Sequence, residues 1–158
     1  MRHVISAVVE NKPGVLAHIA GLFAGRGFNI DSLAVGETED PARSRMTVVV
    51  RGDDAVLEQV RKQLGKIVDV IKVTDYGGET IVERDLMLVK VSARPEKRGE
   101  IFEIADVFRG KVVDIGSKHL TLEVSGPEEK IDAFIDLLRP YGIKEVVRTG
   151  RIALARGG

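Results

Sequence analysis

Apolar and polar positions alternate in period along this chain, and the changes of period predict its elements. Arg2 to Glu10 is rich in valine and isoleucine and apolar on both alternating sets, as expected of a central strand with one face under helices. Asn11-Lys12-Pro13-Gly14 breaks the run. Leu16, Ile19, Ala20 and Phe23 then fall at i, i+3, i+4 and i+7, the spacing of a helix, with Pro13 suited to its first turn and Gly27 to its end. Phe28 to Glu37 reads as a second strand, residues 40–43 as a turn and Arg45 to Arg51 as a third strand hairpinned to the second. Asp53 or Asp54 is placed to cap a helix with Leu57, Val60 and Leu64 on one face, and Lys66 to Tyr76 returns as a β-rich run.

Gly77-Gly78-Glu79-Thr80 is the clearest linker, after which the order repeats. Leu86 to Ser92 predicts a strand, and Ile101, Ile104, Ala105 and Phe108 a helical stripe. Lys111 to Ile115 and His119 to Val124 predict strands around the turn at residues 116–118. Ile131, Phe134, Ile135 and Leu138 form a second stripe, and Ile143 to Thr149 a last strand. The expected class is α+β, with two ferredoxin-like βαββαβ domains in tandem: residues 1–77 and 78–158. Residues 153–158 are expected to form a loose tail. A sheet with helices on one side leaves its other face or an edge to be covered, and domains of roughly 75 residues are marginal alone, so association is expected.

Composition narrows the chemistry. The 158 residues are 44% hydrophobic, enough for real cores, and 24 Lys plus Arg balance 24 Asp plus Glu, so no net field favours nucleic acid or an anionic membrane. No cysteine is present, which removes disulfides and thiolate chemistry and suits a reducing cytosol. The apolar run after Met1 is short for a secretory signal, and no segment approaches the roughly 18 to 20 apolar residues of a spanning helix. A cytoplasmic protein, bound to neither membrane nor nucleic acid, is the expectation. His3, His18 and His119 lack metal-ligand spacing, no G-x-S-x-G elbow anchors a catalytic serine, and no catalytic residue is assigned. Gly21, Gly25 and Gly27 lie at a helix end, not in a phosphate-binding turn. RNA recognition by the sheet is opposed by Phe23, Phe28, Phe102, Phe108 and Phe134, which lie in helices or at element edges.

The junction Asn11 to Leu16 has more promise. Free N–H groups at a helix start favour a carboxylate, and Gly14 admits a ligand close to the backbone; alternatively Asn11 is an ordinary cap and Gly14 a turn residue. The Asn29 side-chain carbonyl suits an ammonium group, or ties down the turn into the second strand.

Asn11-Lys12-Pro13-Gly14-Val15-Leu16, followed by Leu22-Phe23-Ala24-Gly25-Arg26-Gly27-Phe28-Asn29-Ile30-Asp31-Ser32-Leu33, resembles the ACT-domain signature in the form typical of acetolactate synthase (acetohydroxyacid synthase) small subunits. Ser44-Arg45-Met46-Thr47, residues 82–91, Phe108 to Asp114 and Arg148-Thr149-Gly150 resemble that family's later motifs, so the likeness covers nearly the whole chain; Asp85 departs from an expected glutamate. The resemblance implies a non-catalytic regulatory subunit without cofactor of its own. It also implies a separate large subunit that carries thiamine diphosphate, magnesium and usually FAD, which this chain activates and on which it confers feedback inhibition by a branched-chain amino acid, valine foremost. Carried over by motif, Asn11, Gly14 and Asn29 are the implied effector residues, with the backbone of Val15, Leu16 and Ile30. ACT domains of this type pair side by side, which implies a homodimer with the Asn11 loop of one protomer facing Asn29 of the other. The competing class is a stand-alone ACT-type amino-acid sensor, which no helix-turn-helix or basic segment supports.

Overall fold

The computed structural model describes residues 2–157. Met1 and Gly158, the outer ends of the expected signal-free start and loose tail, lie outside the described residues. The chain divides into two compact units, residues up to Val82 together with those from Arg151 onward, and Glu83–Gly150. Against the expected 1–77 and 78–158, the division falls a few residues later and the tail belongs with the first unit.

The first unit runs β1 (Arg2–Glu10), α1 (Val15–Arg26), β2 (Asn29–Glu37), β3 (Arg43–Arg51), α2 (Asp54–Gly65) and β4 (Val70–Asp75). Its sheet has the order β2-β3-β1-β4, antiparallel throughout, with β1 at the centre and β2 at an edge. Ile5, Ala7 and Val9 of β1 and Met46, Val48 and Val50 of β3 share one face with Val15, Ile19, Phe23, Val60 and Leu64 of the helices. Strand periodicity of two sends the alternate residues to the other side.

The buried face of α1 keeps Ile19 and Phe23 of the expected stripe and takes Val15 in place of Leu16 and Ala20. Val15, Ile19 and Phe23, at i, i+4 and i+8, face the sheet, while Leu16 is 45% exposed and Ala20 is exposed. The helix is apolar nearly all round, so periodicity alone did not choose between two stripes one residue apart. α1 ends in a six-to-one bond, Phe28 N–H to the Phe23 carbonyl at 3.2 Å, with Gly27 left-handed at φ 69°. At α2 the cap is Asp53, whose carboxylate accepts the Val56 N–H at 2.9 Å.

On the face opposite the helices, Ser6, Thr47 and Tyr76 are buried. The Arg45 guanidinium donates to Ser6 Oγ at 2.8 Å and to the Tyr76 hydroxyl at 2.5 Å. The C-terminal segment satisfies more of this layer: the Arg151 N–H donates to Ser32 Oγ at 2.8 Å, and the Tyr76 hydroxyl to the Ala153 carbonyl at 3.3 Å. Residues 152–155 therefore form strand β9 (Ile152–Ala155) instead of the expected loose tail, and Ala153 is buried. A face carrying hydroxyls that need partners gives the tail a reason to order.

β5 (Ile81–Ser92) begins five residues before the predicted strand and spans the division between the units; β9 pairs with it. The second unit continues with α3 (Arg98–Val107), β6 (Lys111–Ile115), β7 (His119–Gly126), α4 (Glu128–Leu138) and β8 (Ile143–Arg148). Its order β6-β7-β5-β8 repeats that of the first sheet. Met87, Val89, Val91, Leu120, Leu122 and Val124 meet Ile101, Ile131, Phe134 and Leu138 in a separate core. Arg98 holds the start of α3 to the β6–β7 turn by donating to the carbonyls of Gly116 and Ser117. Among the described residues, no helix is long and apolar enough to cross a membrane.

Asp85 is buried and accepts from Arg148 Nε at 2.9 Å and Nη2 at 2.6 Å, while Arg148 also lies 3.8 Å from Asp132 and keeps 34% of its side chain exposed. Removing one partner of such a pair is costly in proportion to how buried the survivor is. Arg148→Ala is therefore expected to cost about 3–5 kcal/mol, and Asp85→Ala less, about 1–3 kcal/mol, because the stranded arginine reaches water and Asp132. Urea denaturation of the two variants checks the order.

Candidate functional site

β1 delivers Asn11 to one end of the first sheet, where the β2–β3 turn holds it. The Asn11 N–H donates to the Ala42 carbonyl at 2.8 Å, and its Nδ2 donates to the Pro41 carbonyl at 2.9 Å and to Glu37 Oε1 at 3.2 Å. The turn is itself stiff. Thr38 Oγ1 donates to the Asp40 carbonyl at 3.0 Å, Asp40 Oδ1 accepts the Ala42 N–H at 3.0 Å, and the Arg43 N–H returns to the Asp40 carbonyl at 2.9 Å.

Asn11 is thus not the helix cap. Gly14 occupies that position in the left-handed region, at φ 86° and ψ −13°, and no side chain caps α1 or adds an acidic group to its first turn. Pro13 lies before the cap, outside the helix, because the left-handed residue that opens α1 comes after it. The first helical bond is His18 N–H to the Gly14 carbonyl at 2.9 Å, and the Val15 N–H has only a 3.4 Å contact with the Lys12 carbonyl. The start of α1 so keeps backbone donors for an anion. Nothing lies within 4 Å of where a Gly14 Cβ would be, so the space above it is open. Val15 contributes its side chain to the core, and Leu16 is half exposed beside Gly14.

Asn29 opens β2 and is exposed, with Nδ2 donating to Asp31 Oδ1 at 2.7 Å. Asp31 Oδ2 in turn meets Arg2 Nε at 2.7 Å and Arg51 Nη2 at 3.1 Å. Ile30 is half-buried opposite Val50. The register sets Glu10 against Arg43 and Glu37 against Ser44 at one end of the sheet, and Asn29 and Arg2 against Arg51 at the other. Eight strand steps separate Glu37 from Asn29, roughly 25 Å. One chain brings Asn11, Gly14, Val15 and Leu16 together and leaves Asn29 and Ile30 at the far end.

Glu37 and Pro41 were missed in the sequence. A strand-terminal glutamate and a turn proline carry no local signal that they will touch residue 11; only the hairpin register brings them there. A cavity of about 480 Å³, lined in part by Arg2, His3, Asp54, Leu57 and Asp75, includes none of the six predicted residues. His3 Nε2 lies 3.1 Å from the Gly52 carbonyl, and no group of three or more metal-ligating side chains is found among the described residues.

Residues 84–157 match the family model for the small subunit of acetolactate synthase, and residues 5–72 that for an AHAS small subunit-like ACT domain. The chain is 57% identical over 157 residues to the probable acetolactate synthase small subunit of Archaeoglobus fulgidus, covering 99% of this chain and 98% of that protein. The chain belongs to the acetolactate synthase small-subunit family. The acetolactate synthase small subunit of Aquifex aeolicus is 50% identical over 98% of this chain and 81% of its own length. The crystal structure of the acetolactate synthase small subunit from Thermotoga maritima matches with a TM-score of 0.92 at 43% identity, covering 100% of this chain and 99% of that one. Family membership makes the first unit an ACT domain and the chain a regulatory small subunit, so Asn11, Gly14 and the start of α1 lie at a strand-to-helix junction of that ACT domain.

Because Gly14 is left-handed but uncrowded, Gly14→Ala is expected to cost about 1–2 kcal/mol of backbone strain without a steric clash. Thermal unfolding of that variant should show a modest fall in Tm with the cooperative transition retained.

Proposed function

We propose that this chain activates a large catalytic subunit and imposes feedback inhibition on it by binding a branched-chain amino acid, valine foremost. In this reading the chain itself is not catalytic. The large subunit holds thiamine diphosphate, magnesium and FAD and condenses two pyruvates, or pyruvate with 2-oxobutyrate, while the whole assembly works in the cytoplasm. The family membership supports the subunit role, since a small subunit of a synthase presupposes a large one.

The observation that carries the effector reading is the separation of the two asparagines at opposite ends of a sheet whose edge strand is β2. β2 is a nine-residue edge strand whose Leu33 and Val35 are 38% and 45% exposed, the kind of edge that pairs with another chain unless something blocks it. Antiparallel pairing of two β2 edges about a two-fold axis centred on Leu33 would set Asn29 of one protomer opposite Glu37 of its partner. Glu37 bonds Asn11, so the two ends that one chain keeps apart would meet twice in a homodimer. The uncapped start of α1 would receive the effector carboxylate, Asn11 and Asn29 its polar groups, and exposed Leu16 its branched side chain.

A ligand held by two protomers favours the dimer arrangement that closes on it. Coupling of this kind is worth about 1–3 kcal/mol, which corresponds to a 5- to 150-fold change in affinity for the opposing state. Calorimetric titration with valine, leucine and isoleucine, with lysine as control, is expected to show saturable binding of a branched-chain amino acid that Asn29→Ala weakens at least tenfold. Absence of binding would remove the effector reading and leave an activating subunit. Binding without any effect on a reconstituted synthase would favour a stand-alone sensor.

A further inference from the structure

Asn11 presents one polar atom to its surroundings, and the reason lies in Glu37. An asparagine amide offers two N–H donors and one carbonyl acceptor, and its orientation is decided by what surrounds it. Here the Nδ2 group has two partners, the Pro41 carbonyl at 2.9 Å and Glu37 Oε1 at 3.2 Å, and both are acceptors only. Rotating the amide by half a turn would bring Asn11 Oδ1 against a carbonyl oxygen and a carboxylate, and both contacts would turn repulsive. The Pro41 carbonyl does not yield, because the Thr38 and Asp40 side chains fix the turn and the Asn11 N–H is bonded to the neighbouring Ala42 carbonyl.

We propose that Glu37 is a positioning residue of the effector site. It takes the second amide hydrogen of Asn11, so that Oδ1 alone is left for the ligand and the loop accepts only a donor there, the ammonium of an α-amino acid. This deepens the effector reading above and rests on it. The pairing also assigns complementary parts of the ligand: the ammonium to Asn11 Oδ1 and the carboxylate to the donors at the start of α1. A 2-oxo acid with the same branched side chain, such as 2-oxoisovalerate, has the carboxylate and lacks the donor, so the site discriminates between the amino acid and its 2-oxo counterpart.

The test uses the whole 158-residue chain with valine and 2-oxoisovalerate as probes, in wild type, Glu37→Ala and Glu37→Gln. Loss of one charge-assisted hydrogen bond that orients a recognition group corresponds to about tenfold or more in affinity. Glu37→Ala is expected to bind valine at least tenfold more weakly with unchanged Tm, and to narrow the preference for valine over the oxo acid. Glu37→Gln keeps an acceptor oxygen and is expected to stay within about threefold of wild type. Valine binding by Glu37→Ala equal to wild type would overturn the positioning role while leaving the sensor reading in place. Equal losses in Glu37→Ala and Glu37→Gln would assign the effect to charge instead of orientation and overturn it too. A loss that tracks a fall in Tm would reduce Glu37 to a hairpin support. No valine binding by the wild type would overturn the sensor reading and this proposal together.

Discussion

Nine consecutive residue pairs between β1 and β3, from Arg2 against Arg51 to Glu10 against Arg43, are the constraint on which the ACT unit depends. An antiparallel ladder of this length fixes which side chains face the helices, because a slip of one residue would send Ile5, Ala7 and Val9 to the wrong side. It also fixes the two ends of the unit. One end collects the loop at Asn11 with the β2–β3 turn; the other collects Arg2, Asn29, Asp31 and Arg51 in an ion-pair cluster.

Both units use the same strand order, yet they secure their polar groups differently. In the first, a layer of Ser6, Thr47, Arg45 and Tyr76 lies on the side away from the helices, and the tail completes it through backbone groups of Arg151 and Ala153. In the second, Asp85 enters a buried position and Arg148 follows from the neighbouring strand to neutralise it. Neither arrangement is worth much as net stability, since burying polar groups costs nearly what their bonds return. Their effect is to make alternatives expensive, because a shifted strand would leave a buried hydroxyl or carboxylate without a partner.

The division of the proposed effector residues between two ends of one sheet suits a sensor. A site complete in one chain would bind without reporting on assembly. A site assembled from the Asn11 loop of one copy and the Asn29 end of another ties ligand binding to the arrangement of subunits, which is the differential affinity that any allosteric effector needs.

The sequence by itself determined the class and order of the elements. Strand and helix periods differ by local geometry, and glycine, proline and aspartate punctuate them, so the two βαββαβ repeats and a cap at Asp53 or Asp54 were legible from neighbours alone. It also carried the family likeness, through the motif from Asn11 to Leu33. It placed Ile19 and Phe23 in the buried stripe of α1 but chose Leu16 over Val15, because the two neighbours are comparably apolar. It made Asn11 a candidate cap, because a polar residue before a helix looks the same whether it bonds forward to the helix or sideways to a hairpin. It made the tail loose, although Tyr76 and Ser32, far away in the chain, supply its partners. The tertiary structure decided these points, together with the contacts of Glu37 and Pro41 with Asn11, because each is a contact between segments whose meeting depends on strand register, and register is a property of the whole sheet.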